Sequence, residues 1–211
     1  MHLPDGFLDT KTWVAMDAAA LAVATIAVRR ASKNLEEKQV PMMGVMAAFI
    51  FAAQMLNFPV LGGTSGHLLG GVLAAILLGP WAAALVMIAV FIVQALFFQD
   101  GGLLALGANV FNMGLIGTIG GYYLYRLVRR VIPGDQGILA GAGIAAWVTV
   151  VLGAVATALE LAVSGTTPLK VVLPAMTVVH VIIGLGEAVI TVIIIGFVLR
   201  VRRDLVPGAE R

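Results

Sequence analysis

Long apolar runs, broken by glycine and proline, constrain this chain more than any other feature of its sequence. Of its 211 residues, 61% are hydrophobic and only 11% are charged, and the mean hydropathy is +1.05. In an ordinary soluble domain about a quarter of the residues are charged. Most of this chain must therefore be solvated by lipid, and we expect an all-α integral membrane protein.

Seven of the apolar runs are candidates for membrane-spanning helices, each of which needs roughly 17–25 mostly apolar residues. Their approximate bounds are 12–30, 40–57, 67–79, 80–98, 108–130, 137–163 and 170–201. Together they predict a single membrane domain, 1–211, in which residues 1–11 precede the first helix. The third run is short and continues through Gly79-Pro80 into the fourth, so the sequence leaves open whether it crosses the membrane completely.

Basic residues give an independent test of the number of spans. They form three clusters: Arg29, Arg30, Lys33 and Lys38; Arg126, Arg129 and Arg130; and Arg200, Arg202, Arg203 and Arg211. Seven spans place all three clusters on one side, whereas six would place the first opposite the others. Short loops rich in Lys and Arg stay in the cytoplasm. We therefore predict seven helices in the inner (plasma) membrane, with the N-terminus outside and the C-terminus cytoplasmic.

The first two residues, Met1-His2, offer three nitrogens in sequence to a metal ion. The α-amine and the amide of His2 close a five-membered chelate ring, and the amide and imidazole Nδ1 close a six-membered one. Tetragonal nitrogen coordination favours Cu(II) or Ni(II). These three nitrogens leave the fourth position of a square-planar coordination open. His67 is predicted to lie on the same side of the membrane as Met1-His2 and could fill that position. The plain alternative is a chance histidine at position 2 and a packed polar side chain at position 67.

This reading needs Met1 at the mature terminus. We expect it there because Asp5, Asp9 and Lys11 interrupt any signal-peptide pattern. Cysteine is absent from the sequence, which excludes disulfides and thiolate metal sites.

The opening MHLPDGFL, the extra first helix and the later GGTSGH resemble the NikM/CbiM family, the substrate-specific S components of energy-coupling factor (ECF) transporters for nickel or cobalt. The resemblance covers essentially the whole chain. It implies a six-helix core, spans two to seven, and an N-terminal helix that delivers the terminus into a pocket at the outer face. It also implies that Met1, His2 and His67 hold the metal.

The same resemblance implies a transport subunit, not an enzyme, with no catalytic cofactor and with Ni²⁺ or Co²⁺ as its cargo. The sequence has no G-x-x-x-x-G-K-[ST] phosphate loop, so partners would supply the energy. The implied partners are a transmembrane coupling (T) subunit, two cytoplasmic ABC ATPases and a small accessory membrane protein, with no nucleic acid. Ala48 and Ala52 form a small-xxx-small step that is a candidate contact for the coupling subunit, although such faces also serve ordinary helix packing.

Further polar residues could support the ligands, because a ligating imidazole usually donates its other N–H to an oxygen. Candidates near the predicted outer ends are Asn57, Thr64, Ser65, Gln94 and Asn109. A role as loop caps and turn formers is an equally good reading of this set. Asp5, in Pro4-Asp5-Gly6, is expected to form a turn that bends the terminus inward.

Two other functions remain open from the sequence. An intramembrane metalloenzyme could use His67 and His180 with Glu187 or Glu160, since ionisable residues inside membranes are functional candidates. For His180 we expect an interhelical hydrogen bond. A self-sufficient divalent-cation permease would need polar residues along its whole path, whereas here they gather at one end. Nickel and cobalt are not distinguished.

Overall fold

The structure is a computed structural model that describes residues 1–35, 37–56, 58–60 and 64–209. Its elements, in chain order, are α1 (Thr10–Asn34), a 3₁₀ turn (Glu37–Gln39), α2 (Val40–Gln54), β1 (Phe58–Val60), β2 (Thr64–Gly66), α3 (Gly71–Leu78), α4 (Pro80–Phe98), α5 (Leu106–Asn109), a π-helix (Val110–Gly120), α6 (Gly121–Val131), α7 (Gly134–Val163), α8 (Leu169–Val201) and a 3₁₀ turn (Arg203–Leu205).

Four of the described helices, α1, α4, α7 and α8, are long and apolar enough to cross a membrane. They match four of the predicted spans to within a few residues. Helix α2 has 15 residues and rises about 22 Å, less than the roughly 30 Å of a hydrocarbon core. A multi-pass helical protein is therefore confirmed, while the count of seven spans and the orientation stay predictions.

The predicted span 108–130 is one continuous helical rod assembled from α5, the π-helix and α6. The junction residues Asn109, Val110, Gly120 and Gly121 all keep right-handed helical dihedrals. Eleven residues of π-helix are unusual, because this conformation mostly occurs as single turns and often at functional sites. Here it follows directly after Asn109, one of the polar candidates.

The third predicted span is where the structure departs most from the sequence reading. Instead of a helix over 67–79, only the eight residues of α3 are helical. They rise about 12 Å, less than half of the hydrocarbon thickness. Gly70 and Gly79, with φ of +77° and +79°, bound the helix, because their left-handed backbone cannot continue it. Every residue of α3 is buried against its neighbours, so this segment is solvated by protein and not by lipid.

A second departure from an all-α fold is a short antiparallel hairpin between α2 and α3. In it, Phe58 pairs with Gly66, Pro59 with Ser65 and Val60 with Thr64. The hairpin leads directly into His67, so it determines where that histidine enters the bundle. Asn57, a candidate supporting residue, and Arg211, a member of the third basic cluster, lie outside the described residues.

Most of the described basic residues cluster at the end of the bundle opposite the N-terminal segment. The Arg30 guanidinium lies 5.4 Å from the centre of the Trp81 ring, at the start of α4. Arg129 donates to the carbonyl oxygens of Pro207 and Gly208 at 3.0 and 2.8 Å, and Arg203 pairs with Asp135. These contacts join the ends of α1, α6 and α8 with the beginnings of α4 and α7.

Candidate metal-binding site

The N-terminal segment, residues 1–9, precedes α1, and its first three residues are inserted into the protein while Asp5, Gly6 and Asp9 stay exposed. Met1, His2 and Leu3 are 1%, 5% and 0% exposed. The Leu3 N–H donates to Asn109 Oδ1 at 2.7 Å, and the Leu3 carbonyl accepts from Asn109 Nδ2 and from the Gly102 N–H at 3.0 and 2.8 Å. These bonds fix the backbone of Leu3 on both sides and carry Met1 and His2 into the interior.

Asp5 holds the loop that covers this segment. Its carboxylate accepts from the backbone N–H groups of Leu103, Leu104 and Ala105 at 3.1, 2.8 and 3.3 Å, which ties the turn before α5 to the N-terminal segment. A β-carbon added at Gly102 would lie 2.1 Å from Asp5 Oδ1, so only glycine permits this approach. Asp5 does begin the predicted turn, which continues through Gly6 at φ +86°, but it also clamps a distant loop.

The amine of Met1 and the imidazoles of His2 and His67 come together at the end of this inserted segment. The Met1 amine nitrogen lies 3.4 Å from His67 Nε2. The two rings are nearly parallel, with centroids 4.6 Å apart and planes 22° apart. His67 Nδ1 lies 2.8 Å from the carbonyl oxygen of Leu68. Because a carbonyl only accepts, His67 is protonated at Nδ1 and its Nε2 lone pair faces the amine.

The His2 ring is held from two sides. Its Nε2 lies 3.1 Å from Gln94 Oε1. Its Nδ1 lies 3.3 Å from Asp100 Oδ1, but without hydrogen-bond geometry, and this nitrogen has no hydrogen-bond partner among the described residues. Phe91 contacts the ring edge-on at 5.7 Å between centroids. His2 is therefore fixed through one nitrogen while the other stays available for a ligand.

Burial keeps these nitrogens uncharged. It lowers the pKa of the Met1 amine to about 4, although the nearby Asp100 carboxylate partly opposes the shift. Burial, followed by the positive charge of the amine, lowers the pKa of His2 to about 3, while the bond to Gln94 acts in the other direction. The pKa of Asp100 is raised by its own burial. At neutral pH the amine and the His2 imidazole are therefore both uncharged.

Several predicted supporting residues lie where the sequence suggested, and others do not. Gln94 contacts His2 and Asn109 binds the backbone of Leu3. Thr64 and Ser65 lie in strand β2, two to three residues before His67. Asn109 therefore supports the inserted backbone and not a histidine ring.

Three ionisable residues of the helices have structural partners. Glu187 of α8 accepts from the N–H groups of Leu69 and Gly70, both at 2.7 Å, and so caps the approach to α3. Glu160 accepts from Asn112 Nδ2 at 2.6 Å. His180 Nδ1 lies 2.7 Å from the carbonyl of Met176, one turn earlier in its own helix. The expectation of an interhelical bond for His180 is therefore wrong.

Sequence reasoning missed Gln54, a buried glutamine at the end of α2. Its Nε2 donates to the Leu69 carbonyl at 2.8 Å, and its Oε1 accepts from Gln94 Nε2 at 2.9 Å. The available signal was a lone amide inside an apolar span. Among the described residues, no group of three or more His, Asp or Glu side chains is placed to hold a metal ion.

Comparison with known proteins identifies the class. A solved structure described as a truncated transition metal transporter superposes with a TM-score of 0.89, at 37% identity, over 95% of this chain and 99% of its own. The shared fold is that of a membrane transporter and not of an enzyme.

Sequence relatives make the assignment specific. A putative fused nickel transport protein NikMN of Archaeoglobus fulgidus is 41% identical over 98% of this chain and 68% of its own length. A cobalt transport protein CbiM of Sorangium cellulosum is 36% identical over the full length of both. The family model described as the cobalt uptake substrate-specific transmembrane region matches residues 2–205. The chain belongs to this CbiM family, as the opening motif indicated.

Proposed function

We propose that this chain is the substrate-capture subunit of an ECF-type importer for Ni²⁺ or Co²⁺. In this proposal the ion binds through the Met1 amine, the amide and Nδ1 of His2, and Nε2 of His67. The observation that carries it is the 3.4 Å approach of His67 Nε2 to the Met1 amine, with the opposite nitrogen of His67 bound to Leu68. Two neutral donors from distant parts of the chain thus meet in a buried pocket.

The donor set suits the cargo. Imidazole and amine nitrogens bind late first-row divalent ions, and a flat arrangement of four nitrogens favours Ni(II) over metals that prefer oxygen. The pKa of His2, lowered to about 3, means that no proton has to leave its ring at neutral pH. The fused nickel protein and the cobalt protein among the relatives keep both ions as candidate cargoes.

The orientation follows from charge. The described basic residues near Trp81, Pro207 and Asp135 lie at the end opposite the inserted segment, and short basic loops stay cytoplasmic. We place the N-terminal segment at the outer face of the plasma membrane, the C-terminus in the cytoplasm, and seven helical segments in the membrane, with α3 as a partial crossing.

Partners would supply the energy and the inward step. We propose a transmembrane coupling (T) subunit, a pair of cytoplasmic ABC ATPases and a small accessory membrane protein. Ala48 and Ala52 lie on the exposed face of α2, opposite the buried Met46, Ile50 and Gln54. The two alanines would let a partner helix approach closely at that point, between the exposed side chains of Val45 and Phe49. If the chain carried ions into vesicles without the coupling subunit and ATPases, it would be a permease instead.

The proposal is tested most directly at the amine. Acetylating Met1 converts its amine into an amide that no longer offers a lone pair, so Ni²⁺ binding measured by calorimetry should be lost. The matched control is the same protein with an unmodified terminus, which should bind normally. Thermal unfolding in detergent checks that the fold survives. Unchanged affinity after acetylation would remove the amine, and with it the proposed ligand set.

A further inference from the structure

Two buried glutamines connect the candidate site to helix α2. The Oε1 atom of Gln94, in α4, lies 3.1 Å from His2 Nε2. The Nε2 atom of Gln94 donates to Gln54 Oε1 at 2.9 Å. Gln54 in turn donates from Nε2 to the Leu69 carbonyl at 2.8 Å. Both side chains are 0% exposed. We call Gln94 and Gln54 the glutamine chain.

The direction of every bond in the glutamine chain is set at one end. The Leu69 carbonyl can only accept, so the nitrogen of Gln54 must point toward it and the oxygen of Gln54 toward Gln94. Gln94 then donates to Gln54 and presents its own oxygen to His2. Turning either amide over would bring two acceptors or two donors together in a buried site, which is costly. His2 must therefore carry its proton on Nε2.

We infer that Gln54 is a positioning residue for metal capture: acting through Gln94, it holds His2 in the Nε2–H tautomer and leaves the Nδ1 lone pair for the ion. Gln54 does not touch His2. Its effect passes through the orientation of the Gln94 amide, whose hydrogen bonds within the described residues go to His2 and Gln54. The consequence for metal binding rests on the proposed function, whereas the tautomer of His2 does not.

The far end of the glutamine chain is firmly anchored. The Leu69 N–H, on the same residue whose carbonyl orients Gln54, donates to Glu187 Oε2, and the Gly70 N–H donates to Glu187 Oε1. This carboxylate fixes the peptide groups that follow His67. Gln54 therefore takes its orientation from the segment that carries one histidine and passes it to the other.

Nitrogen NMR of the metal-free protein tests the inference without reference to transport. Ring nitrogen shifts separate protonated from unprotonated sites, and the chain has only three histidines, so His67→Ala and His180→Ala assign the signals. The wild type should show His2 as a single Nε2–H tautomer. In Gln54→Met, which keeps length and burial but removes both hydrogen bonds, an Nδ1–H population should appear. A pure Nε2–H signal in Gln54→Met would overturn the inference.

Gln54→Glu provides the matched control. An ionised Glu still accepts from Gln94, and a protonated one also donates to Leu69, so in either state the Gln94 amide keeps its direction. The His2 tautomer should stay Nε2–H. Loss of that tautomer in Gln54→Glu while Gln54→Met retains it would refute the inference. This pair of variants separates the effect of the Gln94 amide direction from the effect of side-chain packing.

Affinity measurements then show whether Gln54 acts through Gln94. Supporting residues of this kind usually contribute 10–100-fold in metal affinity, and we expect a loss in this range for Gln54→Met. In a Gln94→Met background, Gln54→Met should change affinity by less than about threefold, because interacting residues are not additive. A full loss in that background would overturn the inference.

Thr149→Val, which removes a buried hydroxyl bound within α7, should leave affinity unchanged. If the wild type bound no metal while the tautomer result held, only the proposed function would fail.

Discussion

The pH dependence of Ni²⁺ affinity should report whether the amide nitrogen of His2 is a ligand. Metal binding releases the protons that its ligands carried beforehand. Burial lowers the pKa of the Met1 amine to about 4 and that of His2 to about 3, so both are already deprotonated between pH 5.5 and 8. An amide carries its proton throughout this range. If the amide binds the ion, one proton leaves, and affinity must rise with pH.

The size of the effect follows from counting protons. One released proton raises the association constant tenfold per pH unit, or about 1.4 kcal/mol. From pH 5.5 to 8 the gain is about 300-fold. As the pH falls toward about 4 the Met1 amine begins to bind a proton, and the curve steepens. With ordinary pKa values of 8.0 for the amine and 6.5 for His2, at least two further protons would compete at pH 5.5.

Competition with a metallochromic chelator at constant ionic strength would measure this slope, and calorimetry in buffers of different ionisation enthalpy would count the protons independently. Asp100→Asn is the control, because the raised pKa of Asp100 places it among the groups that could titrate near the site. A slope of zero would exclude amide coordination. A slope of two or more would show that the amine or imidazole is charged in the metal-free protein, and would refute the buried arrangement.

Three substitutions test other parts of the site. His67→Ala should weaken Ni²⁺ binding at least 100-fold in calorimetry, since it removes one of four proposed donors, while unfolding stays cooperative; binding within threefold of wild type would exclude His67 as a ligand. Asp5→Ala leaves three backbone N–H groups without their carboxylate and should destabilise the protein by about 2 kcal/mol in detergent unfolding; a normal midpoint would contradict the clamp. Gly153→Ala places a β-carbon 2.6 Å from the Asn112 carbonyl and 3.3 Å from Met1 Cε, so metal affinity should fall, whereas Gly120→Ala, with nothing within 4 Å, should leave it unchanged.

The sequence predicted the long helices well because their apolar runs are bounded by strong local signals. Helix α4 begins at Pro80 and ends at Phe98 as expected, with Gly79 and Gln99 at its caps. The same hydropathy criterion wrongly predicted a membrane-spanning helix over 67–79. The structure has only the short helix α3 there, and its residues Gly71–Leu78 are all buried in protein. Lipid chains are as apolar as leucine side chains, so composition alone cannot tell a helix in lipid from a short helix inside a bundle.

Only part of the candidate site could be predicted from the sequence, and the reason is a different one. Met1-His2 could be recognised because the chelating nitrogens are adjacent in sequence. The partners of Gln54 could not, since Gln94 and Leu69 are 40 and 15 residues away, and only the packing of α2 against α4 brings them together. A polar residue in an apolar run signals that a partner exists but does not identify it.

Burial of the first three residues has two consequences that depend on each other. It fixes the position of the Met1 amine beside His67, and it removes the charge that would repel a cation, because desolvation disfavours the protonated amine and imidazole. If residues 1–3 left the pocket, the amine would regain a pKa near 8.0 and His2 one near 6.5. The separated terminus would then lose its geometry and gain positive charge at once. Under the proposed function, any step that withdraws this segment would therefore favour release of the ion, and any step that seats it would favour capture.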